Sequence, residues 1–301
     1  MAIVCDGTTL AVLMCTPLDL VDFTRGFLLT EGIVERGAFA APPDIEILEH
    51  ANGIECRVRL GAASRVAVER RRRSLAATSS CGLCGVKGLA QAVRPPASVA
   101  GQGFRLRAAD AQAAVGALRL HQPLHDRTRG VHAAGFFVPG RGMTHVREDV
   151  GRHNALDKLA GAVAGALLHG VDTDGSGSTG EAPGGAVVLT SRVSIEMVQK
   201  AAAIGAPVIV AVSTPTTLAV RAARAAGLTL IGNARNGRQD VFTHPFRVLD
   251  GPASAHVERG DASRPETKTE TTRQAGMRGQ AARARPLFPT PRSGASTDHP
   301  S

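Results

Sequence analysis

The sequence predicts an α/β protein, α+β overall, and three observations carry that reading. From residue 186 onward, short apolar runs (Ala186 to Leu189, Val208 to Val212, Leu228 to Ile231) alternate with helix-period segments (Ile195 to Ala203, Thr217 to Ala226), the pattern of a parallel sheet with crossover helices. Before residue 95 the runs are shorter, and strands with alternating polarity mix with a single amphipathic helix. Beyond Gly251 the chain turns to Pro, Arg, Ser, Thr and Ala without periodicity, the composition of a disordered tail. The expected organisation is a small mixed α+β domain over residues 1–95, a larger α/β domain over 96–250, and a disordered tail over 251–301. Pro95-Pro96 supplies the first break.

In order along the chain, Leu10 to Met14 reads as a strand. It leads into a helix with Thr16 as N-cap, Pro17 at the first helical position, an apolar stripe of Leu20, Phe23 and Phe27, and Gly32 as its stop. The strand begins so close to Met1 that an N-terminal element is expected to be missing, as a mis-assigned start codon would cause. Strands follow around Ile45 to Ile47 and Ile54 to Leu60; Arg107 to Leu118 is helical; Phe136 to Val138 is a strand closed by the turn Pro139-Gly140-Arg141-Gly142. Asp149 to Leu168 reads as a strong helix, and Thr173 to Gly185, rich in Gly, Ser and Thr, as a flexible surface loop without chemistry.

The 301 residues, 43% hydrophobic, are ample for a real core. No apolar run is long enough to span a bilayer, and the start of the chain lacks the pattern of a signal peptide, so a cytoplasmic protein without membrane contact is expected. Five cysteines fit a reducing compartment. A net charge of +9 and the run Glu69-Arg70-Arg71-Arg72-Arg73 invite a nucleic-acid reading. Trp and Tyr are absent and Phe is scarce, so no stacking platform for bases exists, and no nucleic-acid partner is expected. An anionic small molecule or an acidic partner accounts for the charge equally well.

The chemistry centres on Ser79-Ser80-Cys81-Gly82-Leu83-Cys84-Gly85, followed by Lys87. Such a thiol pair can cycle through a disulfide, supply half of a tetrahedral metal site, or carry sulfur as a persulfide. A structural zinc site needs a second CxxC or an HxxxH nearby, and neither is present, so no metal is expected. Cys5, Cys15 and Cys56 are isolated among apolar neighbours and read as buried structural thiols. A thioredoxin-like arrangement needs a strand before the motif and a helix opening at it; a small polar stretch precedes it here, and Gly85 interrupts the turn after it. Glycine after each sulfur strips bulk from the motif and lets a partner's backbone approach.

Other segments carry polar chemistry. In Arg147 to Lys158, Asp149, His153 and Asp157 recur every four residues, so on a helix they share one face, and a carboxylate beside His153 would raise its pKa. The bland alternative is a capped helix start with a solvated His. His132 lies in an apolar setting that suits a satisfied core histidine. Ligands of parallel sheets bind at the carboxyl ends of the strands, which gathers Ser191-Arg192, Ser213 to Thr216, and Gly232 to Arg238 around one crevice. Arg235 and Arg238 flank Asn236-Gly237 there, a donor arrangement suited to a phosphate or pyrophosphate.

Taken together, GFLLTEGIV (Gly26 to Val34), SSCGLCG (Ser79 to Gly85), GVHAA (Gly130 to Ala134), REDVGRHNALDK (Arg147 to Lys158), SRVSIEMVQKAA (Ser191 to Ala202) and TTLAV (Thr216 to Val220) resemble the FdhD family of formate dehydrogenase accessory sulfurtransferases. The resemblance runs from about Leu10 to Arg247, with departures at Arg129, at Thr214 where alanine is usual, and at Asn233 where an aromatic is common. It implies a larger domain of the three-layer, cytidine-deaminase-like type. Deamination itself is not expected, since Ala133-Ala134 follow His132 where the glutamate of an HxE is needed and no cysteine lies beyond Cys84 to hold zinc.

The resemblance further implies a sulfurtransferase that takes sulfur from an IscS-like cysteine desulfurase and holds it as a persulfide on Cys81, with Cys84 assisting. It would pass that sulfur to the molybdenum bis(molybdopterin guanine dinucleotide) cofactor for the formate dehydrogenase apoenzyme. It carries Ala234, Arg235, Asn236, Gly237, Arg238 and Gln239 over as the cofactor-binding segment, and two nucleotide halves of the cofactor suit a homodimer. Two other classes remain open: a cofactor-docking chaperone in which the cysteines bind metal or stay idle, and a thiol-disulfide oxidoreductase acting on protein partners.

Overall fold

Apolar residues at every second position near the start of the chain build a four-stranded sheet in the order β2-β1-β4-β3, from β1 (Ala2–Cys5), β2 (Thr8–Val12), β3 (Ile45–His50) and β4 (Gly53–Val58). The computed structural model describes residues 1–35, 44–75, 94–168 and 184–249. The CGLC motif, residues 173–183 of the Gly/Ser/Thr-rich stretch, and the tail over 251–301 lie outside the described residues. β1 runs antiparallel to β2 and parallel to β4. Ile3, Cys5, Leu10 and Val58 point to one face of this sheet and are closed over by Phe23, Phe27 and Leu28 of α1 (Leu20–Thr30) and Val68 of α2 (Ala62–Leu75).

The second sheet has six strands in the order β11-β10-β9-β8-β6-β7. These are β6 (His132–Val138), β7 (Gly142–Asp149), β8 (Ala186–Leu189), β9 (Val208–Ala211), β10 (Thr229–Arg235) and β11 (Arg238–Val241). A short pair, β5 (Leu106–Arg107) with β12 (Val248–Leu249), lies apart from it. β8, β9 and β10 are mutually parallel, as the alternation predicts, while β6, β7 and β11 run antiparallel to their neighbours.

Both faces of this sheet are covered, which is why its central strands read as unbroken apolar runs rather than alternating ones. Val187, Leu189, Ile209 and Leu230 pack on the same side as α5 (Arg152–Leu168), α6 (Ile195–Ile204) and α7 (Thr217–Ala226). Ala186, Val188, Val208, Val210 and Ile231 pack on the other side against Ala111, Ala114 and Leu118 of α3 (Ala108–Leu120). A short helix, α4 (Pro123–Thr128), precedes β6. The result is the expected three-layer α/β arrangement.

Two local expectations are corrected. Thr16 does not cap α1, which begins at Leu20 behind Asp19 in a left-handed conformation. The Thr16 N–H instead donates to Asp149 Oδ2 (2.9 Å), and its hydroxyl accepts from the Val150 N–H (3.0 Å), so long-range partners outcompete the local cap. Asp149 is likewise not on a helix face. It ends β7 opposite His132, and Val150-Gly151 turn the chain before α5 opens at Arg152.

α1 crosses α5 at unusually close range because a glycine stands on each side. A Cβ on Gly26 would overlap the Asp157 carbonyl oxygen and lie 2.6 Å from the Gly161 nitrogen, and one on Gly161 would overlap the Asp22 carbonyl. This crossing brings the end of the GFLLTEG segment against the REDVGRHNALDK segment. At the far end of the chain, the fully buried Arg247 donates to the carbonyls of Gly227, Val99 and Ala100, fixing the stretch after Pro96 to the end of α7.

Candidate functional site

The polar residues of Arg147 to Lys158 are for the most part a set of buried ties between α1, α5 and β7. The Arg147 guanidinium donates twice to Asp22 Oδ2 (3.0 and 2.6 Å). Glu148 accepts from the Leu124 and His125 N–H groups at the start of α4 (both 2.8 Å). Asp149 pairs with the fully buried Lys158 (2.7 Å) and accepts from Gly151 N–H and Asn154 Nδ2. Asn154 also donates to the Met14 carbonyl. A pattern that reads as catalytic polarity is thus largely structural, with Arg147, Glu148, Asp149, Asn154 and Lys158 each partnered as burial requires.

Asp157 belongs to a second buried cluster. Lys200 Nζ donates to both of its carboxylate oxygens (2.7 and 2.9 Å), to Glu31 Oε1 (3.0 Å) and to Thr30 Oγ1 (3.0 Å), while Thr30 also donates to Asp157. Glu31 forms a further ion pair with Arg71 of α2. Arg94 donates to the Glu31 and Thr30 carbonyls (2.9 and 2.7 Å). Arg71 and Arg94 flank residues 76–93, so the two ends of the stretch that contains Cys81 and Cys84 are both fastened to Thr30-Glu31. The basic run is therefore not merely a solvated face: Arg71 is spent on a buried carboxylate.

Burial alone would push the Glu31 carboxyl up, but Lys200 and Arg71 beside it hold it at about 2, well below its ordinary 4.5. A carboxyl depressed on folding contributes stability that is fully present above its unfolded value and lost as pH falls through its folded one. Acid titration from about pH 4.5 to 2 should therefore remove on the order of 3 kcal/mol through this group. In a Glu31→Gln variant, urea melts over that window should show a correspondingly flatter pH dependence.

The carboxyl ends of β7, β8 and β9 share one edge of the large sheet, since His132 pairs with Asp149 and Ala134 with Leu189. The N-termini of α5, α6 and α7 follow from those ends, and Thr216 caps α7 by accepting from the Ala219 N–H (3.2 Å). Orphaned N–H groups at such ends favour anions. His132 opens β6 here and is half-buried; burial, then Arg152, pushes its pKa down. His153 is the sharper case. Instead of being raised by a neighbouring carboxylate, its pKa is pushed down to about 3 by burial and by Lys200 and Arg152. Asp149 and Asp157, the expected carboxylates, are engaged with Lys158 and Lys200, and the nearest approach is Glu196 Oε2 at 4.0 Å. His153 is a neutral imidazole at physiological pH.

Gly232 to Arg238 forms the end of β10 and the tight turn into β11, with Asn236 and Gly237 both at positive φ (53° and 74°), the geometry of a two-residue hairpin. Arg235 and Arg238 stand opposite each other at its exposed end. Asn236 and Gly237 are exposed between them, whereas Ala234 is buried in the core beneath α3. Gln112 of α3 donates to the Arg238 carbonyl and to Gln239 Oε1 (2.8 and 3.0 Å), steadying the turn. Asn233, at φ 52°, bulges the strand; it accepts from Thr214 Oγ1 (2.7 Å) and donates to Asp240 Oδ2 (2.7 Å). Thr214 and Asn233, two positions at which the sequence departs from the residues usual in the family it resembles, are bonded to one another.

Cys5 and Cys56 are buried and Cys15 half-buried. Burial, with Asp6 nearby, pushes the Cys5 thiol up to about 12, and burial also raises Cys15 and Cys56. None is suited to thiolate chemistry at neutral pH. Cys81 and Cys84 lie outside the described residues. Among the described residues no group of His, Cys, Asp and Glu is arranged to hold a metal ion, and no helix is long and apolar enough to cross a membrane.

Sequence reasoning assigned no role to Glu31, Arg94, Ser194, Glu196 or Lys200. A signal was available for Lys200: it shares the spacing of Met197, Ala201 and Ile204, the buried stripe of α6, where a cation needs a partner.

Comparison with known proteins bears on these residues. The FdhD/NarQ family model matches residues 1–249. A sulfur carrier protein FdhD of Agrobacterium fabrum is 44% identical over 244 residues, 81% of this chain and 84% of that protein. One of Brucella melitensis is 45% identical over 246 residues, 82% of this chain and 86% of its own length. Among solved structures, one described as a formate dehydrogenase accessory protein from Desulfotalea psychrophila superposes with a TM-score of 0.56 at 26% identity, covering 82% of this chain and 87% of that one.

Proposed function

We propose, from the premise that this chain belongs to the FdhD/NarQ family of sulfur carrier proteins, that it carries sulfur as a persulfide on Cys81. The donor is a cysteine desulfurase of the IscS type and the acceptor the molybdenum bis(molybdopterin guanine dinucleotide) cofactor, which is bound as substrate and destined for a formate dehydrogenase apoenzyme. The observation that carries this reading is one of elimination. Of five cysteines, the three described are held in buried or half-buried settings that raise their thiols, which leaves Cys81 and Cys84 for nucleophilic work.

The chemistry balances without an external oxidant. The Cys81 thiolate attacks the terminal sulfur of the donor persulfide; the donor S–S bond breaks, its thiolate leaves, and an S–S bond forms on Cys81. Release as sulfide takes two electrons. Cys84 supplies them by attacking the inner sulfur, which expels the outer one as hydrosulfide and leaves a Cys81–Cys84 disulfide for a dithiol reductant to reopen. On the sheet edge, Arg235 and Arg238, paired across the turn, would hold a pyrophosphate between two guanidiniums, with Asn236 and Gly237 offering backbone and Gln239 held by Gln112. Ala234, its methyl in the core, can contribute only its backbone. Two copies of the chain would match the two nucleotide halves of the substrate, and the reducing cytoplasm would keep the thiols available.

Intact mass spectrometry after incubation with a cysteine desulfurase and cysteine tests the reading. The wild-type chain should gain about 32 Da, the mass of one sulfur atom, and Cys81→Ala should not. A Cys81→Ala, Cys84→Ala double variant that still activates formate dehydrogenase would refute the carrier role in favour of a docking chaperone. A reversible Cys81–Cys84 disulfide with turnover on protein disulfides, but no sulfur adduct, would move the assignment to an oxidoreductase.

A further inference from the structure

α2 presents two faces of different kinds. Val68 packs into the core beside the four-stranded sheet and Arg71 pairs with Glu31, which fixes the helix about its axis. The opposite face carries Arg65, Val66, Glu69, Arg70 and Arg72, all exposed. Arg72 lies 3.3 Å from Glu69 there. Attraction of cations to a helix C-terminus accounts for arginines in the later turns of α2. It does not account for Arg65, which closes the first turn, where a cation is disfavoured. Nor does a solvated basic face call for Val66, 78% exposed beside it. β2, against which α2 packs, adds Val12 at 75% exposure, and Met14 follows at 85%. Exposed apolar side chains bordered by arginine are the composition of a protein–protein contact.

The place of this face in the chain and its charge together say what docks there. Cys81 follows closely on Leu75, the last residue of α2, so a protein that passes sulfur to it has to seat its surface beside the helix. In the reading above the acceptor is a small molecule on the same chain, which leaves the donor as the separate protein that must reach Cys81. We propose that the outward face of α2, with Arg65, Val66 and Arg72 as its contacts, docks the sulfur-donor protein through an acidic patch bordering the donor's persulfide. This rests on the carrier reading and names the surface that reading uses. The transfer is the exchange already written, in which the donor S–S bond breaks, the donor thiolate leaves and an S–S bond forms on Cys81.

Binding and loading are measured separately on the full chain. A Cys81→Ala, Cys84→Ala chain should bind immobilised cysteine desulfurase at low salt, and the doubly reversed Arg65→Glu, Arg72→Glu variant on that background should bind at least about tenfold more weakly, with a flatter salt dependence. Arg65→Lys, Arg72→Lys, which keeps the charge, should stay within about threefold. With the cysteines present, the reversal should slow the second-order transfer of sulfur from the desulfurase by at least about tenfold, yet leave transfer from glutathione persulfide, which needs no docking, within about twofold. Thermal melts confirm that each variant is folded. Desulfurase binding and transfer indifferent to the reversal would overturn the proposal, and so would an equal loss of transfer from both donors, the mark of a damaged thiol. Reversal-sensitive binding of the formate dehydrogenase apoenzyme, or of a single-stranded oligonucleotide, in place of the desulfurase would assign the face to that partner instead. Reversal-sensitive desulfurase binding by a chain that gains no sulfur sinks the carrier reading alone; loading that ignores the reversal sinks this surface alone.

Discussion

Replacing Gly26 by alanine is expected to destabilise the protein by more than about 3 kcal/mol, lowering its melting temperature by roughly 10 °C. The added methyl has nowhere to go: it would meet the Asp157 carbonyl and the Gly161 nitrogen, both backbone atoms of α5. Rotamer changes cannot relieve such a clash, so the helices must part along the crossing. Gly161→Ala should behave alike, because its methyl would meet the Asp22 carbonyl of α1. Gly116→Ala on α3, where a Cβ meets nothing within 4 Å, is the control and should stabilise by roughly 0.5–1 kcal/mol. Equal melting temperatures for Gly26→Ala and the control in a calorimetric scan would contradict the close crossing. Parting the helices would also draw Thr30 and Glu31 away from Lys200, so a packing change becomes a change at the site.

Lys200→Met is expected to cost about 3–5 kcal/mol at neutral pH, since it leaves the carboxylates of Asp157 and Glu31 buried with one cation fewer. Burial lowers the Lys200 pKa, but Asp157 and Glu31 more than offset it and raise it, so the ammonium is charged. Burial raises the Asp157 carboxyl to about 6 even with Lys200 pulling it down. Without the lysine it rises further. A carboxyl whose folded pKa lies above its unfolded one contributes stability below the unfolded value and loses it as pH rises through the folded value. The deficit of Lys200→Met should therefore shrink as pH is lowered from about 8 to 5, which denaturant melts across that range would register. A deficit that grows on acidification would show that Asp157 is not the exposed liability. Adding Asp157→Leu to Lys200→Met should recover part of the loss even at neutral pH.

Much of this architecture is legible from residues alone. The alternation of Ala186 to Ile231 places β8, α6, β9, α7 and the start of β10 within a residue or two, because strands buried on both faces and helices packed on one leave unambiguous apolar runs. Thr16 and Asp149 mislead for a shared reason: each has a plausible local role, and each is taken by the other across 133 residues of chain. Sequence periodicity cannot see such a partner. The pairings of Glu31, Arg71 and Arg94 with Lys200 and α1 are non-local in the same way, and His153 is set by burial first, then by Lys200 of another helix and Arg152 beside it, rather than by the carboxylates of its own helix face. Arg235 to Arg238 falls at a strand end as expected, and the Asn-Gly pair, a strong hairpin signal, forms the tight turn there.

If Cys81 and Cys84 carry the sulfur as proposed, the anchorage of Arg71 and Arg94 on Thr30-Glu31 makes the thiol pair a tethered reagent. Cys81 lies six residues beyond Leu75 and Cys84 ten before Arg94. At about 3.5 Å per residue, Cys81 stays within roughly 20 Å of the end of α2 and Cys84 within roughly 35 Å of Arg94. Under the proposed carrier role, a sulfur held there would meet a substrate on the same chain at a millimolar-scale effective concentration, without any affinity of its own for it. Delivery would then be a first-order event, indifferent to how dilute the protein is.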